Sequence, residues 1–389
     1  MGGEAYIIDA VRTPVAKKKG ALAGVRADEL AAIPLRALVE RNGLDPAVVE
    51  DVVMGCVTQV HEQGLNVARV AALNAGFPVD VTGTSVNRMC GSSQQALNFA
   101  AMGVASGYQD LVIAAGVESM TRVPMGSDMF LNGEMVLPGE AMRWRYTLVP
   151  QGVSAELVAK RFGLSRAELD AFSLESHRRA GAADDAGVFA NEIVPVEVQG
   201  ESGKVVFSRD EGIRRDTTLA RLASLKPAFQ EDGVITAGSS SQISDGAAAV
   251  LLASDYAVRE YGLKPRARIV SMATAGVDPT IMLTAPIGAT QKALTKLNMS
   301  MSDIDLVEIN EAFASVALGC GRELGFDFDR TNIYGGAIAM GHPLGASGAR
   351  LLTTLLNAME QEDVRYGLVT MCIGFGQGIA TIIDREIYA

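Results

Sequence analysis

A chain of 389 residues with a formal charge of −11 exceeds what one ordinary hydrophobic core organises. Hydrophobic residues make up 48% and charged residues 20%, which excludes intrinsic disorder. The acidic balance argues against nucleic acid or an anionic membrane as partner; 41 glycines and only 5% aromatics point instead to tight turns packed with small aliphatic side chains.

From the start, Met1-Gly2-Gly3-Glu4-Ala5-Tyr6 lacks the basic beginning and apolar stretch of a signal peptide, and Tyr6 stands where myristoylation needs Ser or Thr. No apolar run approaches the ~18 residues of a membrane span, so a soluble, cytoplasmic protein is expected. Short apolar runs then alternate with helical periodicity, the pattern of an α/β protein. Ala5–Val11 reads as strand, Glu29–Glu40 as helix despite Pro34, Asp51–Val57 as strand, Gln94–Ala105 as helix and Asp110–Val117 as a fully buried strand. Residues 121–244 differ: they are loop-rich, hold the single Trp144 and include a charged helix over Ser165–Ala183, and they read as an insertion. Gly246–Ala253 resumes as buried strand. Ala267–Ala273 follows as strand, Gln291–Leu297 as helix, Asp305–Ile309 as strand, Ser315–Leu324 and Ala349–Met359 as helices, and Gly367–Cys372 and Ile379–Asp384 as strands.

The outer thirds repeat. Leu35–Val57 and Gln291–Phe313 both run helix, short turn, strand, which sets Asp51 opposite Asp305, 254 residues on; Leu111 falls opposite Leu368, 257 residues on. A duplicated βαβ-rich half follows. The domains are then 1–120 with 245–267, the insertion 121–244, and 268–389.

Four cysteines make no disulfide framework, and with three histidines no zinc spacing appears, so cysteine would matter as chemistry. Cys90, in SVNRMCGSS, precedes a helix whose macrodipole and free N–H groups favour a thiolate; a small buried hydrophobe is the equal alternative. His342 lies in YGGAIAMGHPLGASG, where the glycines argue for a shaped loop over a core position. Cys90 plus 255 falls at Gly345, three residues from His342, so both occupy the same strand-to-helix turn of related halves, which pseudo-symmetry brings together. Cys372, in MCIGFGQG, is either a core strand end or part of a backbone lying close to a ligand; the glycines lead into a strand, so a dinucleotide-binding reading fails. Asn310 either caps the helix after it or positions a water or a histidine. Cys56 and Cys320 look structural, and His61 and His177 receive no role.

Together the Cys90 segment, NEAFA at 310–314, GGAIAMGHPLGASG at 335–348 and CIGFGQG at 372–378 resemble the thiolase family, from Arg12-Thr13-Pro14 to Ile383. The resemblance implies a duplicated thiolase fold, layered α/β/α/β/α, with an inserted loop domain. It implies Cys90 as the acyl-carrying nucleophile, His342 as the base that takes its proton and helps bind the thioester oxygen, Cys372 as the acid/base at the acetyl-CoA carbon, and Asn310 as holder of a water in the first oxyanion site. The second oxyanion site would use the N–H groups of Cys90 and Gly374. Coenzyme A enters as co-substrate with no bound cofactor or metal, and Arg214, Ser241 and Phe313 are the implied CoA and substrate contacts. A homotetramer or dimer is expected from the family.

Three positions depart from the family pattern. Ser93 replaces a glycine after the nucleophile, Phe375 replaces a glycine in CIGFGQG, and Pro150-Gln151 stand where biosynthetic acetoacetyl enzymes carry His-Met. Ser93 is a modest change and Phe375 reshapes the acyl pocket; the Pro150-Gln151 departure favours a degradative 3-ketoacyl-CoA thiolase of fatty acid β-oxidation or related lipid metabolism, with a broader or bulkier acyl group. The alternatives are a biosynthetic acetoacetyl-CoA thiolase, a decarboxylating ketoacyl synthase, against which Cys372 argues, and a catalytically inactive acyl-CoA-binding or lipid-carrier relative.

Overall fold

The computed structural model describes residues 3–136, 138–200 and 203–387; Met1 and Gly2, which opened the leader reading, lie outside them. Nine strands carry the architecture: β1 (Tyr6–Arg12), β2 (Asp51–Gly55), β3 (Thr82–Val86), β4 (Leu111–Ser119), β5 (Ser244–Ala253), β6 (Ala267–Gly276), β7 (Leu306–Ile309), β8 (Tyr366–Ile373) and β9 (Gln377–Asp384). They join in the order β7-β8-β9-β6-β1-β5-β4-β2-β3, with the two-residue strand Ala16–Lys17 added beside β5. β4 and β5 are buried at every position, which is why they read as unbroken apolar runs rather than alternating ones.

Eight helices cover this sheet: α1 (Ala27–Arg41), α2 (Val67–Asn74), α3 (Ser92–Ala105), α4 (Gln151–Arg161), α5 (Arg166–Asp185), α6 (Ala285–Lys296), α7 (Ala314–Leu324) and α8 (Ser347–Gln361). Three large cores define the layers. One packs α1 and α2 on β1, β2, β4 and β5 through Leu30, Leu38, Val52 and Ile113. A second holds α3 and α8 between the two halves of the sheet: Leu97 and Leu355 lie with Val112 and Val250 of one half and Val369 and Ile383 of the other. The third packs α6 and α7 on β6–β9 through Leu294, Val316, Leu368 and Ile382. Two helices therefore sit at the centre, flanked by half-sheets, with further helices outside.

The duplication is visible in register. The parallel pair β2–β4 sets Asp51 opposite Val112, and the parallel pair β7–β8 sets Leu306 opposite Gly367, 61 residues apart in each case. The two pairs, and the starts of α3 and α8 at Ser92 and Ser347, are all displaced by 255 residues, so the sequence match was off by one or two residues. β3 is an edge strand, TGTSV, too polar and exposed to read as a strand. α6 starts earlier than Gln291 because Pro286 occupies its first turn, where a missing N–H costs nothing. Within 121–244, Ser165 caps α5 through a reciprocal capping box with Glu168. Among the described residues no helix is long and apolar enough to cross a membrane.

Candidate active site

Cys90 lies two residues ahead of α3, and Met89 before it takes a left-handed conformation (φ 46°) that turns the chain sharply into the helix. His342 lies at the equivalent end of the other half, five residues ahead of α8. These helices touch at their N-termini. Ser93 Oγ accepts the Ala349 N–H at 3.0 Å, and a Cβ on Gly348 would stand 2.3 Å from the Gln94 nitrogen, so only glycine permits this approach. Gln94 reaches on into the second half-sheet, donating to Val369 O and Thr381 Oγ1, each at 3.0 Å. Cys90 itself packs in a small cluster with Val57, Met120 and Leu344.

A buried carboxylate ties the two turns together. Glu118, at the end of β4, accepts the N–H groups of Val57 and Thr58 from the first half, Gly345 from the second, and the Gln63 side chain. Burial pushes its pKa up, while these four donors pull it down.

The hairpin joining β8 and β9 meets the same place. Cys372 is the penultimate residue of β8, opposite Gly378, and not part of the turn itself. Arg88 donates to Gln377 Oε1 at 2.7 Å, tying the Cys90 segment to this hairpin. The N–H groups of Cys90 and Gly374 and the side-chain amide of Gln151 all favour the Cys90 thiolate. Even so, burial dominates and pushes the Cys90 thiol up to about 11. The thiolate anticipated from the helix dipole is thus not the resting form, because desolvation outweighs the dipole. Cys372 is raised well above the usual thiol range by burial first and then by Cys90 and Cys320, so it rests as an S–H acid.

His342 is fixed at both ring nitrogens. Its Nδ1 meets Ser347 Oγ, whose own proton goes to Pro343 O at 2.8 Å, so Nδ1 carries the ring hydrogen. Nε2 is then an acceptor, facing Asn310 Nδ2 at 3.2 Å. Burial, with the buried Arg350 charge behind it, lowers the ring to about 3. His342 and Cys90 therefore rest as neutral base and neutral thiol. The loop needs Gly341 at φ 105°, where a Cβ would also strike Ser244 Oγ, the atom that accepts the His342 N–H at 2.7 Å. Asn310 Oδ1 is a buried acceptor with no protein donor, while its backbone N–H is held by Thr370 O.

A cavity of about 390 Å³ opens beside these loops, with Arg214, Arg221, His177, Gly238, Gln242 and Ile338 among its walls. Of the three sequence-derived CoA contacts only Arg214 lines it. Ser241 donates its N–H to Ala312 O, and Phe313 is buried edge-to-face against Phe229 at 5.8 Å. His177, left without a role by sequence, accepts the Arg214 N–H at 3.1 Å and is lowered to about 4, chiefly by burial. A second cavity of about 290 Å³ lies between α5 and α7, and none of the reactive residues lines it. Sequence reasoning also passed over Glu118, Ser347 and Arg350. Glu118 alone had a legible signal, a carboxylate ending an otherwise apolar strand.

Comparison with known proteins places the chain. Residues 5–256 match the family model "Thiolase, N-terminal domain" and residues 263–385 match "Thiolase, C-terminal domain". A beta-ketoadipyl-CoA thiolase from Acinetobacter baylyi is 48% identical over 98% of this chain and 99% of its own length. A steroid 3-ketoacyl-CoA thiolase from Mycobacterium tuberculosis is 47% identical over 98% of this chain and 94% of its own. The crystal structure of the Bacillus anthracis acetyl-CoA acetyltransferase superposes with a TM-score of 0.91 at 37% identity, covering 99% of both chains.

Proposed function

This chain belongs to the thiolase family, and on that premise we propose that it is a degradative 3-ketoacyl-CoA thiolase. It cleaves a 3-oxoacyl-CoA with a second coenzyme A to give acetyl-CoA and a shortened acyl-CoA. The observation that carries the reading is Cys90 ahead of α3 with Gly374 and Gln151 beside each other and favouring its thiolate, and His342 on Asn310 in the pseudo-symmetric turn.

In the cleavage half-reaction, His342 Nε2 takes the Cys90 proton as the sulfur attacks C3 of the substrate. With the thiol at about 11 and the ring at about 3, the ion pair does not accumulate, so transfer accompanies C–S bond formation. The N–H groups of Cys90 and Gly374 hold the oxygen that becomes negative. Breaking the C2–C3 bond leaves its electron pair on C2, and Cys372 supplies the proton that makes acetyl-CoA. In the second half-reaction Cys372 takes the proton of the incoming CoA thiol, which attacks the acyl-Cys90 carbonyl. The Cys90 sulfur leaves and recovers its proton from His342. Splitting the reaction at a covalent thioester replaces one hard step by two easier ones. His342 and Asn310, with a water on the Asn310 side chain, serve the thioester oxygen of the acetyl-CoA portion.

Coenzyme A is co-substrate, and we assign its nucleotide end to the cavity lined by Arg214, within the 121–244 insertion. The acyl group is broader than acetoacetyl, in keeping with Phe375 and Gln151 near the nucleophile and with relatives named for ketoadipyl and steroid substrates. A cytoplasmic homo-oligomer fits the exposed apolar hairpin at Phe130, Leu131 and Met135 and the 85% exposed Trp144. The test is thiolysis across 3-oxoacyl-CoAs of varied length, with branched and ring-bearing chains, in the native protein and Cys90→Ala. Turnover confined to acetoacetyl-CoA overturns the degradative assignment; thiolysis surviving in Cys90→Ala overturns the mechanism.

A further inference from the structure

Gln151 is the first residue of α4, and that helix is pinned along its length. Ser315 Oγ donates to Ala155 O at 3.0 Å, and Glu156 accepts the N–H groups of Val234 and Ile235, each at 2.9 Å. The Phe229 ring lies so close over Gly152 that any Cβ there would sit 2.1 Å from it. The half-buried side chain carried at the head of this helix is therefore held on a rigid support. It faces the chemistry: Gln151 Nε2 is 3.4 Å from the position a Cβ would take on Gly374, and the amide favours the Cys90 thiolate.

We propose that Gln151 is a further catalytic donor, its Nε2–H holding the Cys90 sulfur as it becomes negative and then sharing the substrate oxygen held by the Cys90 and Gly374 N–H groups. The inference rests on the assignment of Cys90 as nucleophile. A thioester sulfur is a poor acceptor, so once the C–S bond has formed the amide must find another partner, and the nearest negative atom is the oxygen drawn to Gly374. An amide takes up no proton, so the balance of the reaction is unchanged: the thiol proton goes to His342, the carbonyl π pair to oxygen, and the C2–C3 pair to C2. The donor also compensates the burial that holds the thiol up, which two backbone N–H groups alone do only in part.

The experiment compares the full-length native protein with Gln151→Met and Gln151→Glu. Three readouts apply: the pH profile of Cys90 alkylation by iodoacetamide, steady-state thiolysis, and acyl labelling of Cys90 by a 3-oxoacyl-CoA. Gln151→Met keeps the volume and removes the donor. Its alkylation profile is expected to move to higher pH, with kcat falling about 10- to 100-fold, at or below the effect of losing a dedicated oxyanion donor, while KM for CoA changes little. In Gln151→Glu an ionised carboxylate repels the thiolate, so the loss is larger at high pH and shrinks as acid restores an O–H donor, a recovery that a merely structural role would not give. If both variants keep the native alkylation profile and kcat within about twofold, the inference is wrong. If the native protein is not labelled at Cys90, the nucleophile assignment fails and the inference falls with it; labelling with unaffected variants sinks the inference alone.

Discussion

The contact between α3 and α8 makes a sharp prediction at Gly348. Replacing it with alanine puts a methyl 2.3 Å from the Gln94 nitrogen, 2.5 Å from its Cβ and 2.8 Å from its Cα. Ordinary contact begins at 3.4 Å, so the helices must part by about 1 Å, and backbone cannot swing aside as a flexible side chain can. Alanine gains ~1 kcal/mol over glycine in helix propensity, whereas forced overpacking costs ~1–3 kcal/mol or somewhat more. Parting the helices also strains the two bonds from Gln94 to Val369 and Thr381, with ~1 kcal/mol at stake in each. The balance is a destabilisation of about 2–3 kcal/mol. Because Cys90 and His342 ride on these two helix starts, a shift of about 1 Å between them should lower kcat/KM about 100-fold. Urea unfolding gives the first number and thiolysis kinetics the second. A Gly348→Ala protein within ~0.5 kcal/mol of native, with activity within about threefold, would show that the helices are not locked in this way.

Three other substitutions probe separate parts of the argument. Arg12 is fully buried between Glu192 at 2.6 Å and Asp210 at 2.8 Å, so Arg12→Met leaves two carboxylates without their cation and should cost ~3–5 kcal/mol in urea unfolding; a loss below ~1 kcal/mol would contradict this. His177 and His342 fold with rings lowered to about 4 and about 3, below the unfolded value, so the unfolded chain binds the extra protons. Their contribution is whole above the unfolded pKa of about 6.5 and is lost as pH falls toward the folded values, at no more than ~1.4 kcal/mol per pH unit for each histidine. His177→Asn should therefore flatten the decline in stability between about pH 6.5 and 4, and parallel pH curves would refute that. Phe375 has φ 60° and is 41% exposed, so Phe375→Gly relieves ~1–2 kcal/mol of left-handed strain while losing little packing. Stability should hold within ~1 kcal/mol, far from the ~3–5 kcal/mol of a truncated core phenylalanine, as thermal denaturation can check.

Strands such as β4, β5 and β8 were legible because a strand buried on both faces must be apolar throughout. β3 was not, because an edge strand carries little of the apolar pattern that marks its neighbours. The Cys90, His342 and Cys372 segments stood out as motifs, since each sets cysteine or histidine among glycines. Their electrostatics did not. A helix start at Cys90 is local and visible in sequence, but the burial that overrides it comes from packing with Val57, Met120 and Leu344, which lie elsewhere in the chain. Gln151 illustrates the same limit. Its residue type stood out as a departure from the family pattern, yet its contact with Cys90 depends on how α4 is pinned by Phe229, Val234, Ile235 and Ser315.

Glu118 bears on how the protein is made. Its carboxylate is complete only when the Gly345 N–H arrives, 227 residues later in the chain. β1 likewise pairs with β6, more than 250 residues later in the chain. A ribosome-bound chain can therefore assemble α1, α2 and their strands early, yet must carry an unmet acceptor at its centre until the second half emerges. The surroundings of Cys90 are thus completed only by the second half: a chain stalled before Gly345 holds the sulfur but not the turn beside it.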